Sequence, residues 1–487
     1  MKNWKMILGI LLPVILWLMP TETVASIFGL EGLTLVQHRL FAIFIFAVTF
    51  WVLEPIPVFA TSVMIIVLEL FMVSNKAFKP LAFDTEGKAI EGLINYKSIM
   101  ATFASPIILL FLGGFFLAMA ATKYRLDTNM ARVMLKPFGT NPKNVLLGLM
   151  AITAIFSMFM SNTATTAMML AVLAPVIKGL EAGDRGKAAF VLGIPFAANI
   201  GGIGTPIGTP PNAVAQKYLL SDVALPDGRI VDLSTSFGGW MMFAVPYVFV
   251  MLIVTWAVLL MMFPISAKEI KIEMKGKFLK TKEAIIVYVT FGATILLWLL
   301  GGKVHNLTSY SVAMIPVAVF CATKIITTAD LKTMSWDVLW LVSGGVALGL
   351  GLGATGLSKV MVSAVPFGEM GIVTVVISSA LVGLIMSTFM SNTATANLLL
   401  PIMSALGVSL MSGGDSKVGM MLILALTFAC SLAMAMPIST PPNALAHATG
   451  QINTGDMAKS GIVIGLLGLA GAFALVYILK TIGFFAM

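Results

Sequence analysis

Charge is what this chain lacks. Only 10% of its 487 residues are Asp, Glu, Lys or Arg, whereas about a quarter is usual for a soluble protein. Cysteine is nearly absent as well. Cys321 and Cys430 are the only two, both inside apolar runs, which excludes a disulfide framework and a thiolate metal site. The three histidines, His38, His305 and His447, have no metal-ligand spacing and read as loop or interface residues.

What remains is largely hydrocarbon. The chain is 59% hydrophobic with a mean hydropathy of +1.00, and uncharged runs long enough to cross a bilayer recur throughout. The reading is an all-α polytopic membrane protein with about 11 transmembrane helices. They fall at roughly 5–22, 38–54, 56–73, 98–122, 186–219, 236–263, 283–302, 308–327, 334–357, 418–449 and 457–484. The first of these imitates a secretory signal but reads as a spanning helix. The net charge of +9 fits basic cytoplasmic loops. The basic residues do not cluster around aromatics, so no nucleic acid is expected.

Two further apolar stretches, about 144–178 and 370–412, are each interrupted by Ser-Asn-Thr. Each half has about 16 residues, or about 24 Å as helix, too short for the roughly 30 Å hydrocarbon core. The expectation is a pair of re-entrant hairpins. With the N-terminus inside, the loops holding Lys123 to Lys143, Lys178 to Lys187 and Lys268 to Lys282 are cytoplasmic, and the loop with Asp222, Asp227 and Asp232 is external. That pattern puts the C-terminus outside; the external 74–97 loop, with four lysines, fits it less well.

The hairpins belong to a longer repeat. FMSNTAT occurs at 159–165 and again at 389–395; Gly113-Gly114 matches Gly344-Gly345; PIGTPPNA at 206–213 matches PISTPPNA at 437–444. All three pairs lie 230 or 231 positions apart. In the topology above, the first hairpin opens from the cytoplasm and the second from outside, so the halves are two inverted-topology repeats. The glycine pairs read as close-packing positions and Glu69 as a weak candidate for a buried role.

In TPPNA, Thr suits a helix N-cap and Pro the first turn. The pattern predicts a helix that unwinds in mid-membrane and restarts at Thr209, and again at Thr440. Four helix starts, two per repeat, then converge, and each favours an anion. The segments 144–177, 188–216, 370–414 and 418–458 contain no charged residue except Asp456. A dianion there meets only neutral donors, so bound cations must help balance it. The oxygens around Ser-Asn-Thr suit Na⁺, and symmetry predicts at least two Na⁺ sites. The Ser-Asn-Thr region holds no His, Cys, Asp or Glu for a nucleophile–base pair, so the chain is not read as an enzyme. Its polar residues cluster at one depth, which argues against a channel.

The doubled Ser-Asn-Thr with doubled TPPNA resembles the divalent anion/sodium symporter family, over nearly the whole chain. The resemblance implies a Na⁺-coupled symporter of a small divalent anion, a C4-dicarboxylate such as succinate foremost, working by an elevator motion. A sodium-independent di- or tricarboxylate exchanger, or a sulfate transporter, is the alternative on the same fold. It implies substrate contacts from Ser161, Asn162, Thr163, Thr209 and Pro210, and from Ser391, Asn392, Thr393, Thr440 and Pro441. It implies one Na⁺ site from Ser157, Ser161, Asn162 and Gly208, and a second from Ser387, Asn392 and Ser439. It implies a homodimer in membrane lipid, in a bacterial inner membrane. The expected division is scaffold at 1–97, transport segment at 98–235, scaffold at 236–333, transport segment at 334–456 and a C-terminal helix at 457–487.

Overall fold

The computed structural model describes residues 3–181, 183–220, 223–225, 227–270, 277–301, 304–365, 370–412 and 417–484. Lys271, Lys275 and Asp222 of the loop-charge argument lie outside these.

The fold is helical from end to end. Helices α1 (Asn3–Leu18) and α2 (Thr21–Phe28) are bent by 115° to one another. They are followed by α3 (Leu35–Leu53), α4 (Val58–Met72) and α5 (Pro106–Lys123). The first hairpin is α6 (Pro142–Ser157) with α7 (Asn162–Gly179), and the first broken helix is α8 (Gly186–Gly202) with α9 (Pro210–Gln216). Three helices come next: α10 (Phe237–Met262), α11 (Lys282–Leu300) and α12 (Ser309–Ala322). The pattern then recurs, as α13 (Trp336–Ala354), the hairpin α14 (Ile372–Phe389) and α15 (Asn392–Met411), and the broken helix α16 (Val418–Leu432) and α17 (Pro441–Ala448). Helix α18 (Thr454–Thr481) closes the order. Among the described residues, the one sheet is a two-stranded antiparallel ribbon pairing Val223 with Val231.

Eight described helices are individually long and apolar enough to cross a bilayer, and two of them are the arms of the second hairpin, α14 with 18 residues and α15 with 20, which the sequence reading took as too short. The other spans read from the sequence are realised by shorter or interrupted helices: bent α1–α2, 15-residue α4, 14-residue α12 and the two broken helices. Helix α3 stops because Glu54 turns into the left-handed region (φ 47°), where its N–H still caps the Phe50 carbonyl, and Pro55 and Pro57 follow. His38 is no loop residue. It is buried on α3, with Nε2 2.8 Å from the Leu16 carbonyl and Nδ1 3.0 Å from Thr21 Oγ1, because α1 and α2 fold back over it.

Three apolar clusters organise the packing. The largest joins both hairpins and both broken helices with α10 and α18. A second unites α1 to α4 with one face of α13 and the second hairpin's tip, through Met390, Ala394 and Leu398. The third gathers α5, α11 and α12 with the opposite side of α13. Buried residues surround α8 and α16 completely, which explains why those segments are apolar all round.

Candidate functional site

Each hairpin tip is built in the same way. Helix α6 ends at Ser157, the chain turns, and α7 begins at Asn162 with Ser161 as N-cap. Ser157 Oγ lies 2.7 Å from the Ala198 carbonyl and also touches Asn162 Oδ1. In the second hairpin, Ser387 Oγ lies 2.9 Å from the Cys430 carbonyl and 2.8 Å from Asn392 Oδ1. A serine hydroxyl has one proton, so in each trio one oxygen faces another without a hydrogen between them. Three neutral oxygens around one proton form a donor set suited to a hard cation.

The helix breaks lie against the tips. Asn212 Nδ2 donates into the gap left by the missing helical N–H groups, towards the carbonyls of Gly202 (3.0 Å), Ile203 (3.2 Å) and Thr205 (2.8 Å). Asn443 Nδ2 does the same for Met434 (2.8 Å) and Met436 (3.1 Å). This is the structural reason for the Asn in TPPNA. Gly208 is required by close approach, since a Cβ there would collide with the Gly202 carbonyl. Thr205 Oγ1 donates to the Met158 carbonyl, and Ser439 Oγ to the Thr388 carbonyl at 2.7 Å, so each break is bonded to its own tip.

Tips and breaks converge on one cavity of about 480 Å³. Its wall includes Ser161, Asn162, Thr163, Thr209, Pro210, Ser391, Asn392, Thr393, Thr440 and Pro441, together with Gly208 and Ser439. Ser157 and Ser387 stand behind their asparagines and are fully buried. The rest of the wall comes from the start of α4 (Pro57 to Phe59), from Phe111, Gly114 and Phe115 of α5, and from Ser335, Asp337, Val338 and Leu341 around the start of α13. The volume falls in the range of small-molecule sites, roughly 300–1,000 Å³.

Two polar contributors escaped the sequence reading. Asn199 of α8 reaches across the repeat boundary, its Nδ2 3.2 Å from Thr440 Oγ1 and 3.1 Å from Asn443 Oδ1. The signal was present: Asn199 is the only amide side chain in the apolar helix α8. Asp337 brings a carboxylate to the cavity wall, and nothing in its position at a helix start distinguishes it from an N-terminal acid on any helix. Among the described residues no group of three or more His, Cys, Asp or Glu could hold a metal ion.

Comparison with known proteins agrees with this architecture. Residues 1–480 match the family model described as the sodium:sulfate symporter transmembrane region. An uncharacterised transporter of Haemophilus influenzae is 30% identical over 402 residues, 77% of this chain and 81% of that protein. The sodium-dependent dicarboxylate transporter SdcS of Staphylococcus saprophyticus is 29% identical over 476 residues, 90% of this chain and 85% of that protein. The inorganic phosphate transporter PHO87 of Saccharomyces cerevisiae is 27% identical over 84% of this chain, which spans 43% of the yeast protein. In fold, the crystal structure of the Alcanivorax borkumensis YdaH transporter aligns with a TM-score of 0.54 at 12% identity, covering 88% of this chain and 98% of that one.

Proposed function

We infer the function from one premise: the chain belongs to the sodium:sulfate symporter family. It is an integral membrane transporter and not an enzyme. We propose that it couples Na⁺ to the uptake of a small dianion, with a C4-dicarboxylate such as succinate as substrate. One observation carries this reading. A single cavity walled at both tips by neutral hydroxyls and amides is flanked in each half by a Ser–Asn–carbonyl oxygen trio. Helix starts offer a dianion only partial positive charge that fades within a turn, and Na⁺ at the trios supplies the balance and braces the tips. Ser157, Asn162, Gly208, Ser387, Asn392 and Ser439 are the proposed ion-holding residues, with Ser161 shared between ion and substrate. The dicarboxylate named for the staphylococcal relative supports the choice of anion.

The moving unit proposed here is the cluster of hairpins and broken helices with α10 and α18, which departs from the division expected from the sequence by taking α10 from the scaffold and placing α5 and α13 in it. It travels as an elevator against a frame of α1 to α5 and α11 to α13, and two copies pair through their frames. The N-terminus lies in the cytoplasm and the C-terminus outside, in a bacterial inner membrane. Single cysteines at Lys280 and Asp227 test the orientation: a membrane-impermeant thiol reagent should reach the first only from the cytoplasmic face and the second only from outside. Calorimetry tests the coupling. Succinate should bind at least about tenfold more tightly in Na⁺ than in choline, or roughly 1.4 kcal/mol, and succinate must raise Na⁺ affinity by the same factor. Equal affinities in the two buffers would make the protein an exchanger. Uptake of labelled sulfate or citrate in place of succinate would replace the substrate and keep the mechanism.

A further inference from the structure

Helix α13 separates two charges that the cavity does not use. Glu69 of α4 is fully buried, and neither carboxylate oxygen has a hydrogen-bond partner among the described residues. It abuts α13 at Gly351, where a Cβ would stand 2.7 Å from Oε1. On another face, Lys217, just beyond α9, donates from Nζ to the Val346 carbonyl at 2.5 Å and lies 5.3 Å from the ring centre of Tyr218. Between them α13 carries Gly345, Gly349, Gly351 and Gly353.

Those glycines form a track. Gly345, Gly349 and Gly353 are four residues apart and share one face. At Gly345 a side chain would overlap the amide of Asn397, a fully buried residue of α15. At Gly349 it would overlap Tyr218 Oη and lie 2.6 Å from Lys217 Nζ. At Gly353 a Cβ would meet nothing within 4 Å. The polar atoms aimed at the track are incompletely matched, since Asn397 Oδ1 and Tyr218 Oη are buried with no partner among the described residues. Asn397 Nδ2 donates to the Leu341 carbonyl at 3.2 Å. Asn397, Tyr218 and Lys217 therefore rest on α13 by backbone carbonyls and small contacts, a surface on which one helical turn resembles the next.

We propose that Lys217 and Tyr218 are positioning residues that fix the register of the anion-facing half-helix α9 on this track and shift by one turn during transport. Lys217 leaves the Val346 carbonyl for that of Leu350, Tyr218 passes from Gly349 to Gly353, and Asn397 takes the place vacated at Gly349. The direction follows from the sequence of the face: beyond Gly345 the next residue is bulky Leu341, whereas Gly353 is open. One-turn ratchets of about 5.4 Å are a known form of bistable sliding. The inference rests on the elevator reading and assigns it a contact surface.

Gly353→Ala tests it, with Gly292→Ala on α11 as control, since a Cβ at Gly292 also meets nothing within 4 Å. Both variants should fold and bind succinate in Na⁺ within twofold of the parent. In proteoliposomes Gly353→Ala should lower the maximal rate of Na⁺-driven succinate uptake at least tenfold with KM unchanged, and Gly292→Ala should not. Equal rates for the two variants would overturn the proposal. A second measurement needs no substrate. In a Cys321→Ser, Cys430→Ser background, Tyr218→Cys with Gly353→Cys should be joined in membranes by a short bis-thiosulfonate, and absence of that crosslink would overturn the one-turn shift. Should the parent protein carry no dianion, the proposed function would fall while the crosslink still decided the register.

Discussion

At the first hairpin tip Ser161, Asn162 and Thr163 are all half-buried, whereas at the second Asn392 is 9% exposed and Thr393 7%. The breaks reverse this order. Ile207 is 8% exposed and Pro210 half-buried, but in the second repeat Ile438 is 57% exposed and Pro441 is exposed, while Thr209 and Thr440 are both buried. The heptamers are identical and the break motifs nearly so, hence local sequence does not choose between these environments. The neighbours do. The second tip is buried by its apolar contacts with the α1 to α4 cluster, and the first has no such cover. Under the elevator motion proposed above, an inverted repeat that adopts two environments in one conformation exchanges them in the other.

The strongest test of this asymmetry is at the tips. Asn162→Ala and Asn392→Ala should each cut Na⁺-driven uptake by at least about thirtyfold, the equivalent of about 2 kcal/mol for a lost charge-assisted contact. Only Asn392→Ala should also lower the melting temperature, because its amide is the buried one. Equal thermal shifts measured in detergent would erase the distinction between the tips, and full uptake in either variant would reduce both triplets to packing residues.

Asn199 offers the next test. The register that pairs Pro206 with Pro437 pairs Asn199 with Cys430, so its bonds to Thr440 and Asn443 have no mirror in the other half. Asn199→Ala leaves Asn443 Oδ1 without that donor, at a cost of about 1–3 kcal/mol. The expected result is a clear drop in denaturation midpoint, and Cys430→Ala should cause a much smaller one.

Capping gives a finer contrast. Thr440 Oγ1 accepts from the Asn443 N–H at 3.3 Å, whereas Thr209 makes no side-chain cap. Thr440→Ala should destabilise by about 1 kcal/mol and Thr209→Ala by less. A larger loss at Thr209, in paired thermal melts, would mean that the first break depends on its threonine in the opposite conformation.

The smallest effect lies outside the membrane spans. Lys123 at the end of α5 bonds Asp330 at 2.7 Å and holds that carboxyl down at about 2, and the second repeat has Ala354 at the position matching Lys123. A depressed carboxylate contributes stability above its unfolded value, near pH 4, and loses it as pH falls towards 2. The pair is partly exposed, so the contribution is under about 1 kcal/mol. Asp330→Asn should remove that acid-side slope and lower stability at pH 7 by the same small amount, with the difference vanishing near pH 2, as pH-resolved melts would show.

The repeat, the hairpins and the breaks were legible because each is written in contiguous residues: a polar triplet between half-length apolar runs, and a Thr-Pro-Pro restart. The ten residues expected to contact substrate come together on one cavity wall for the same reason. Asn199 and Asp337 were not legible as cavity residues, because they arrive from helices whose crossing no local pattern specifies. Nor was the grouping of α10 with the hairpins, since a uniformly apolar helix does not declare which neighbour it will face. Glu69 was visible as an acid in a span. Its placement opposite Lys217 depends on the glycines of a third helix.

The asparagines inside the two breaks have a mechanical consequence. A helix interruption is ordinarily the compliant point of a rod, where amide protons exchange and bending concentrates. Here one carboxamide is riveted to two or three carbonyls of the gap, and a hydroxyl fastens the gap to the adjacent tip. The interrupted stretch is thus stiffer than its lack of helical bonds suggests. Flexure is pushed outward to the connections leaving each rivet, so in the proposed elevator motion tip and break would translate together as one stiff plate and keep their oxygen trios intact.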